Sequence, residues 1–237
     1  MPVRHCGSTR PNACKEKAIL KTLIRRIAAV ATAALFCMNL YFELAPKYAI
    51  GPTWKFGFAA VFAGLLALAF FCGVTPGQKQ KRMHDYVLIL FWYYIWVLMN
   101  VLFFDSTFGR GFSLDLSFGA VNLVPLRTIH DYLAAYGYGN ISLYLVVLNL
   151  AGNLVAFAPM GFFLPALFRW QRSIFFFTAT LTLAITAVEV SQVYSGTGSC
   201  DVDDLILNLA GALVVYIFCR IPPLWRNVCR ITPKKGD

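Results

Sequence analysis

Apolar residues fall along this chain in six long runs, at 27–44, 54–74, 86–104, 141–168, 173–194 and 205–221, with shorter polar stretches between them. A helix needs roughly 17–25 such residues to cross the hydrocarbon layer of a bilayer, so each run is long enough for one pass. A transmembrane β-barrel would alternate polar and apolar positions over short segments, and none of the runs does so. The pattern predicts an all-α fold: a polytopic transmembrane helical bundle of about six helices. The third run is uncharged throughout, and the fourth carries Pro159 and Pro165 in its second half. The fifth is interrupted only by Glu189, and the sixth stops at Pro222-Pro223. The chain thus divides into a basic segment at 1–26, two helices and a loop at 27–85, a main transmembrane domain at 86–221 with a long loop at 105–140, and a basic tail at 222–237.

Composition supports the membrane reading: 59% of residues are apolar, only 14% are charged, and mean hydropathy is +0.64. Disorder requires low hydrophobicity and is excluded. A net charge of +10 would suggest nucleic acid if it formed a patch. Instead, 17 of the 21 Lys and Arg lie before the first run, between the second and third, between the fourth and fifth, and after the sixth. Only Lys47, Lys55, Arg110 and Arg127 occupy the other faces. Because basic residues accumulate on the cytoplasmic side, both termini of this multi-pass cell-membrane protein are expected in the cytoplasm. The charge is then topological, and nucleic acid is not an expected partner.

A signal peptide is the competing reading of the first run, but no small-x-small cleavage site follows Tyr41, Phe42 and Glu43, so that helix is expected to be retained. The seven cysteines show no CxxC or Cys/His metal spacing. Cys6, Cys14 and Cys229 fall on the expected reducing side, Cys37, Cys72 and Cys219 lie in helices, and Cys200 alone faces outward. Structural disulfides are not expected, and no cofactor is evident.

The loop at 105–140 faces outward in this topology. Its alternating stretch at 112–118 suits a short strand or an interfacial segment, and the apolar stretch at 121–126 is too short to cross. A lid on the membrane surface and an ordinary loop resting on headgroups are both compatible with it. Residues 130–138 read as a short amphipathic helix ended by Gly137 and Gly139. In the third run, the aromatic series at 91–96 is expected to pack against other helices, with a lipid-binding groove as the alternative.

Leu148-Asn149-Leu150-Ala151-Gly152 in the fourth run recurs as Leu207-Asn208-Leu209-Ala210-Gly211 in the sixth. Asn and Gly three residues apart share a helix face. Close packing through small residues is the expected reason, and a duplicated ligand site is the alternative.

The informative residues are those that do not belong in lipid. Glu189 lies five residues before the end of the fifth run, and a carboxylate there must face the bundle interior or a wet cavity. Gln192 follows at i+3, and Thr178, Thr182 and Thr186 are expected to continue the polar stripe. The turn-forming loop at 195–200 then delivers Asp201, Asp203 and Asp204 to the start of the sixth helix, where one Asp would serve as its cap. Asn208 lies one turn further on, with Asn149 and Asn153 at the same level from the fourth run. The expected site is an outward-facing polar cleft lined by Glu189, Gln192, Asp201, Asp203, Asp204 and Asn208, roofed by the long loop. Glu189, Asp201, Asp203 and Asp204 have the hard oxygen ligands a divalent cation takes. Glu189, Asp201 and Asp204 are equally candidates for acid/base catalysis. Binding without chemistry, or a purely structural network, also fits these residues.

Taken in order, Asn122-Leu123-Val124-Pro125, Asn149-Leu150-Ala151-Gly152-Asn153 running into 157–162, Glu189-Val190-Ser191-Gln192, and Asp201-Val202-Asp203-Asp204 with Asn208 and Gly211 resemble the VanZ-like family of bacterial membrane proteins. The resemblance covers roughly 86–221. It implies low-level resistance to teicoplanin-type lipoglycopeptides in Gram-positive bacteria. It also marks Asn122, Asn149, Asn153, Glu189, Gln192, Asp201, Asp203, Asp204 and Asn208 as signature positions. Many members carry an Arg in the loop before the aspartates; Gly198, Ser199 and Cys200 stand there in this chain, so no role for that Arg carries over. The resulting expectation is a protein that binds membrane lipid, a lipid-linked cell-wall precursor or the lipoglycopeptide. An integral membrane enzyme acting on an envelope lipid is the alternative, and a transporter a second one.

Overall fold

The computed structural model describes residues 11–44, 52–75, 78–104 and 121–232. The expected strand at 112–118, Lys47 and Arg110 lie outside the described residues, as do the basic residues before 11 and after 232. The elements are α1 (Pro11–Leu44), α2 (Pro52–Phe71), α3 (Lys79–Phe103), β1 (Val121–Asn122), α4 (Arg127–Gly137), α5 (Leu143–Ala156), α6 (Met160–Leu167), a 3-10 turn at Arg169–Arg172, α7 (Ile174–Tyr194), β2 (Cys200–Asp201), α8 (Val202–Cys219) and α9 (Pro222–Ile231).

Among the described residues, five helices are long and apolar enough to cross a membrane: Glu16–Phe42, Lys79–Phe103, Leu143–Leu167, Ile174–Tyr194 and Val202–Cys219. The second predicted pass corresponds to α2, a 20-residue apolar helix. The chain is therefore the all-α membrane bundle its hydropathy predicts.

Two compact units divide at Tyr86. The first is built on the pairing of α1 with α2, where Phe36 meets Phe62 and Phe42 meets Phe58. The Tyr86 hydroxyl donates to the Ala63 carbonyl at 3.2 Å, joining the start of α3 to α2.

The second unit is organised around α8, which packs against α5, α6 and α7. Its core is apolar and ring-stacked: Phe177 lies on Tyr216 with centroids 4.4 Å apart, beside fully buried Leu181 and Ile185. Close approach is imposed by glycine. A Cβ built on Gly211 would come within 1.7 Å of the Leu154 carbonyl oxygen, and one on Gly161 within 2.4 Å of the Ala212 carbonyl oxygen. The repeat is thus a packing device at one of its two glycines. At Gly152 a Cβ would meet nothing within 4 Å.

The fourth run is broken at its first proline: the helix stops at Ala156 and resumes at Met160, giving α5 and α6. Pro159 lacks the N–H that a continuous helix would use, and the Tyr94 hydroxyl donates to the Ala156 carbonyl at 2.5 Å, satisfying a group the break leaves open. Within the aromatic series of α3, Tyr94 stacks on Phe163 and Phe91 lies edge-on to Phe163 and Phe168, whereas Trp92 is exposed. One expectation needs correcting: the stripe leading from Glu189 is apolar. Ile185, Leu181 and Phe177, at i−4 steps, share its buried face, whereas Thr186 is exposed and Thr178 and Thr182 are half-buried.

Basic and acidic groups segregate to opposite ends of these helices. Arg172, just before α7, donates from its guanidinium to the carbonyls of Pro165 and Cys229, each at 3.1 Å, and to the Thr232 hydroxyl at 2.9 Å. It thereby ties α6 to α9. The Tyr216 hydroxyl donates to the Arg172 carbonyl at 2.6 Å. Arg220 lies 4.7 Å over the Trp225 ring, a cation–π contact. The acids lie at the other end, where α7 turns into α8.

Candidate functional site

The loop from α7 to α8 sets the geometry. Ser195 and Gly196 close α7, Gly196 at φ +65° as a left-handed turn requires, and the chain re-enters through β2. β2 pairs in parallel with β1, Val121 opposite Cys200 and Asn122 opposite Asp201. This two-residue ladder, which sequence reasoning did not anticipate, is what brings the loop at 121–126 onto the aspartates. Isolated two-residue strands carry too little hydrophobic pattern to be read.

Asp201 is the cap of α8, as expected of one of the three acids: its Oδ1 accepts from the Asp203 N–H at 2.9 Å. The same carboxylate accepts from Asn122 Nδ2 at 3.2 Å and from the Thr128 hydroxyl at 2.5 Å. Asp203 is fully buried and serves a second helix. Its Oδ1 accepts from the Leu126 N–H at 2.5 Å and its Oδ2 from the Ile129 N–H at 3.1 Å. These are orphan donors at the start of α4, a helix whose own cap position, Leu126, offers no side-chain acceptor. Leu126 is held at φ +65°, uncommon for a residue with a side chain. Asp203 thus caps α4 from across the fold.

Glu189 is buried, and its Oε2 accepts from the Asp201 N–H at 3.4 Å. Gln192, also buried, donates from Nε2 to the Leu102 carbonyl at 2.9 Å. Asn153 Nδ2 donates to Asp204 Oδ1, joining α5 to α8. Asn149 donates to the Leu145 carbonyl of its own helix at 2.8 Å, and buried Asn208 donates to the Asp204 carbonyl at 2.8 Å.

These residues frame a cavity of about 220 Å³. Of the expected site, Gln192, Asp201, Asp203, Asp204, Asn149 and Asn153 line it. Glu189, Asn208 and Asn122 are not among the lining residues and support it from behind. Thr128, Tyr132, Thr197 and Ser199 add further polar groups to the wall and were not singled out from sequence as site residues. The amphipathic pattern of α4 was legible, but nothing in it says which side faces the acids. Among the described residues, no three His, Cys, Asp or Glu side chains are grouped to hold a metal ion.

The field of the acids reaches their neighbours. Burial, then the charges of Asp204 and Asp201, raises the Tyr132 hydroxyl above its ordinary pKa. Burial, then Glu189 and Asp201, raises the Cys200 thiol. That thiol stays protonated and sluggish as a nucleophile at neutral pH.

Fold and site define a multi-pass helical membrane protein with an acid-lined polar cavity at one end of its bundle. The family model described as VanZ/LLP1 matches residues 91–225, more than half of the chain and all of the cavity, and the chain belongs to the VanZ-like family. No curated protein and no solved structure matches it.

Proposed function

We propose that this protein binds the polar headgroup of an envelope lipid or lipid-linked cell-wall precursor in the cavity between α4, α5 and α8. By doing so it contributes to low-level resistance to teicoplanin-type lipoglycopeptides. The supporting observation is the cavity itself, with Asn149, Asn153, Asp204 and Tyr132 drawn from three helices around one polar space. At about 220 Å³ it is smaller than the roughly 300–1,000 Å³ of sites for drug-sized ligands. A headgroup or one sugar unit therefore fits the reading better than a whole lipoglycopeptide.

Binding is preferred to acid/base chemistry because Asp201 and Asp203 direct their oxygens at backbone and side-chain donors that hold the walls. Basic residues at the far helix ends support an outward-facing cavity under the positive-inside rule.

Asn149→Leu removes a polar group from the wall and loses only a bond within α5. Expressed in a teicoplanin-susceptible Gram-positive host, the variant is expected to insert at the normal level while its protection, read as minimal inhibitory concentration, falls to that of empty vector. Full protection by a normally expressed variant would overturn the proposal.

A further inference from the structure

Beside the cavity, residues 123–133 carry apolar side chains that are exposed among the described residues. Leu123 is 72% exposed, and Val124, Leu126 and Leu133 are each more than half exposed. No residue of α4 is buried. Around α4 the faces are sorted. Thr128 and Tyr132 point to the cavity, Leu133 and Tyr136 lie on one flank, and Arg127 and Asp131 lie on the opposite flank, paired at 3.9 Å.

The occupant of this apolar rim is lipid, because the rim continues a lipid-facing surface. α4 packs against α5, and the first turns of that membrane-crossing helix expose Leu143, Tyr144 and Val147. An amphipathic helix with one apolar and one charged flank lies in the plane of the interface, its apolar side in the headgroup–acyl boundary. The left-handed Leu126, with its N–H held by Asp203, is the fixed corner that turns the chain from the rim into α4.

We infer that residues 123–136 form a membrane-immersed rim, Leu123 and Leu133 in the acyl boundary and Asp131 in water, and that the cavity is filled sideways from the leaflet rather than from bulk solvent. The immersion needs only the geometry; the route of filling rests on the binding reading.

Two experiments separate these parts. Benzoylphenylalanine placed at Leu123, Leu133 or Asp131 of the full chain is photolysed in native membranes, and adduct masses are read by mass spectrometry. Phospholipid adducts are expected at 123 and 133 and not at 131. Cross-links from 123 and 133 to the chain's own segments, or labelling equal to that at 131, would overturn immersion.

The double variant Leu123→Glu with Leu133→Glu lifts the rim from lipid and leaves the wall residues in place. Teicoplanin protection is expected to drop at least fourfold although the protein is inserted at the normal level. Retained protection would overturn sideways filling. The binding reading would then still stand or fall on Asn149→Leu alone.

Discussion

Asp203, on α8, is fully buried and caps a different helix, α4. Its two oxygens meet two different N–H groups of one helix start, a use for which both must be acceptors. Asp203→Asn replaces one acceptor with an amide donor, so one buried N–H faces another donor. The expected cost is about 1–3 kcal/mol, the usual range for leaving a buried polar group unsatisfied, read as a lower thermal midpoint of the detergent-solubilised protein. Asp131→Asn, on the exposed flank, is the control and is expected to stay within about 0.5 kcal/mol. A result in which both variants unfold alike would remove the cross-fold cap. The presence of three acids at the start of α8 was legible, and so was a capping role for one of them. The division of labour was not: Asp201 caps its own helix, Asp203 caps another, and Asp204 joins Asn153. That division depends on where residues 121–132 fold back, and local spacing holds no record of it.

At the scale of elements, the internal repeat separates pattern from consequence. Gly152 and Gly211 occupy equivalent places in Leu-Asn-Leu-Ala-Gly segments, yet only Gly211 meets a facing backbone. Gly211→Ala is expected to push α8 off α5 and destabilise by about 1–3 kcal/mol, as overpacking in a filled contact does. Gly152→Ala, with open space around it, is expected to be neutral or to stabilise the helix slightly. Thermal unfolding of the two variants side by side tests this, and equal losses would contradict the packing. Proline gave a similar partial signal. Pro159 and Pro165 both stood out in the fourth run, but only Pro159 marks a break, while Pro165 sits inside α6.

For the whole molecule, the separation of charge is the feature on which the proposed orientation rests. Arg172, Arg220, Arg226 and Arg230 gather at the ends of α6, α8 and α9, and the carboxylates gather where α7 meets α8. Alkaline phosphatase fused after Gly139 is expected to be active, and a fluorescent protein fused after Asp237 is expected to fluoresce, as for a cavity outside and a C-terminus inside. The reverse pattern would place the cavity in the cytoplasm and remove its proposed contact with outer-leaflet lipids. Charge also does work that topology alone does not predict: the basic residues between the fourth and fifth runs were read only for the expected orientation, whereas the three bonds of Arg172 to α6 and the C-terminal turn appear only in three dimensions.

The sequence by itself determined the solvent, the helical class and the stretch of chain that holds the polar residues, because the lengths of apolar runs and the cost of a buried carboxylate are local quantities. Only the tertiary structure decided that Glu189 braces Asp201 from behind while Tyr132 and Thr128 enter the wall. Those assignments rest on a two-residue parallel ladder between segments 79 positions apart, and pairings at such separation are set by packing that no local pattern encodes.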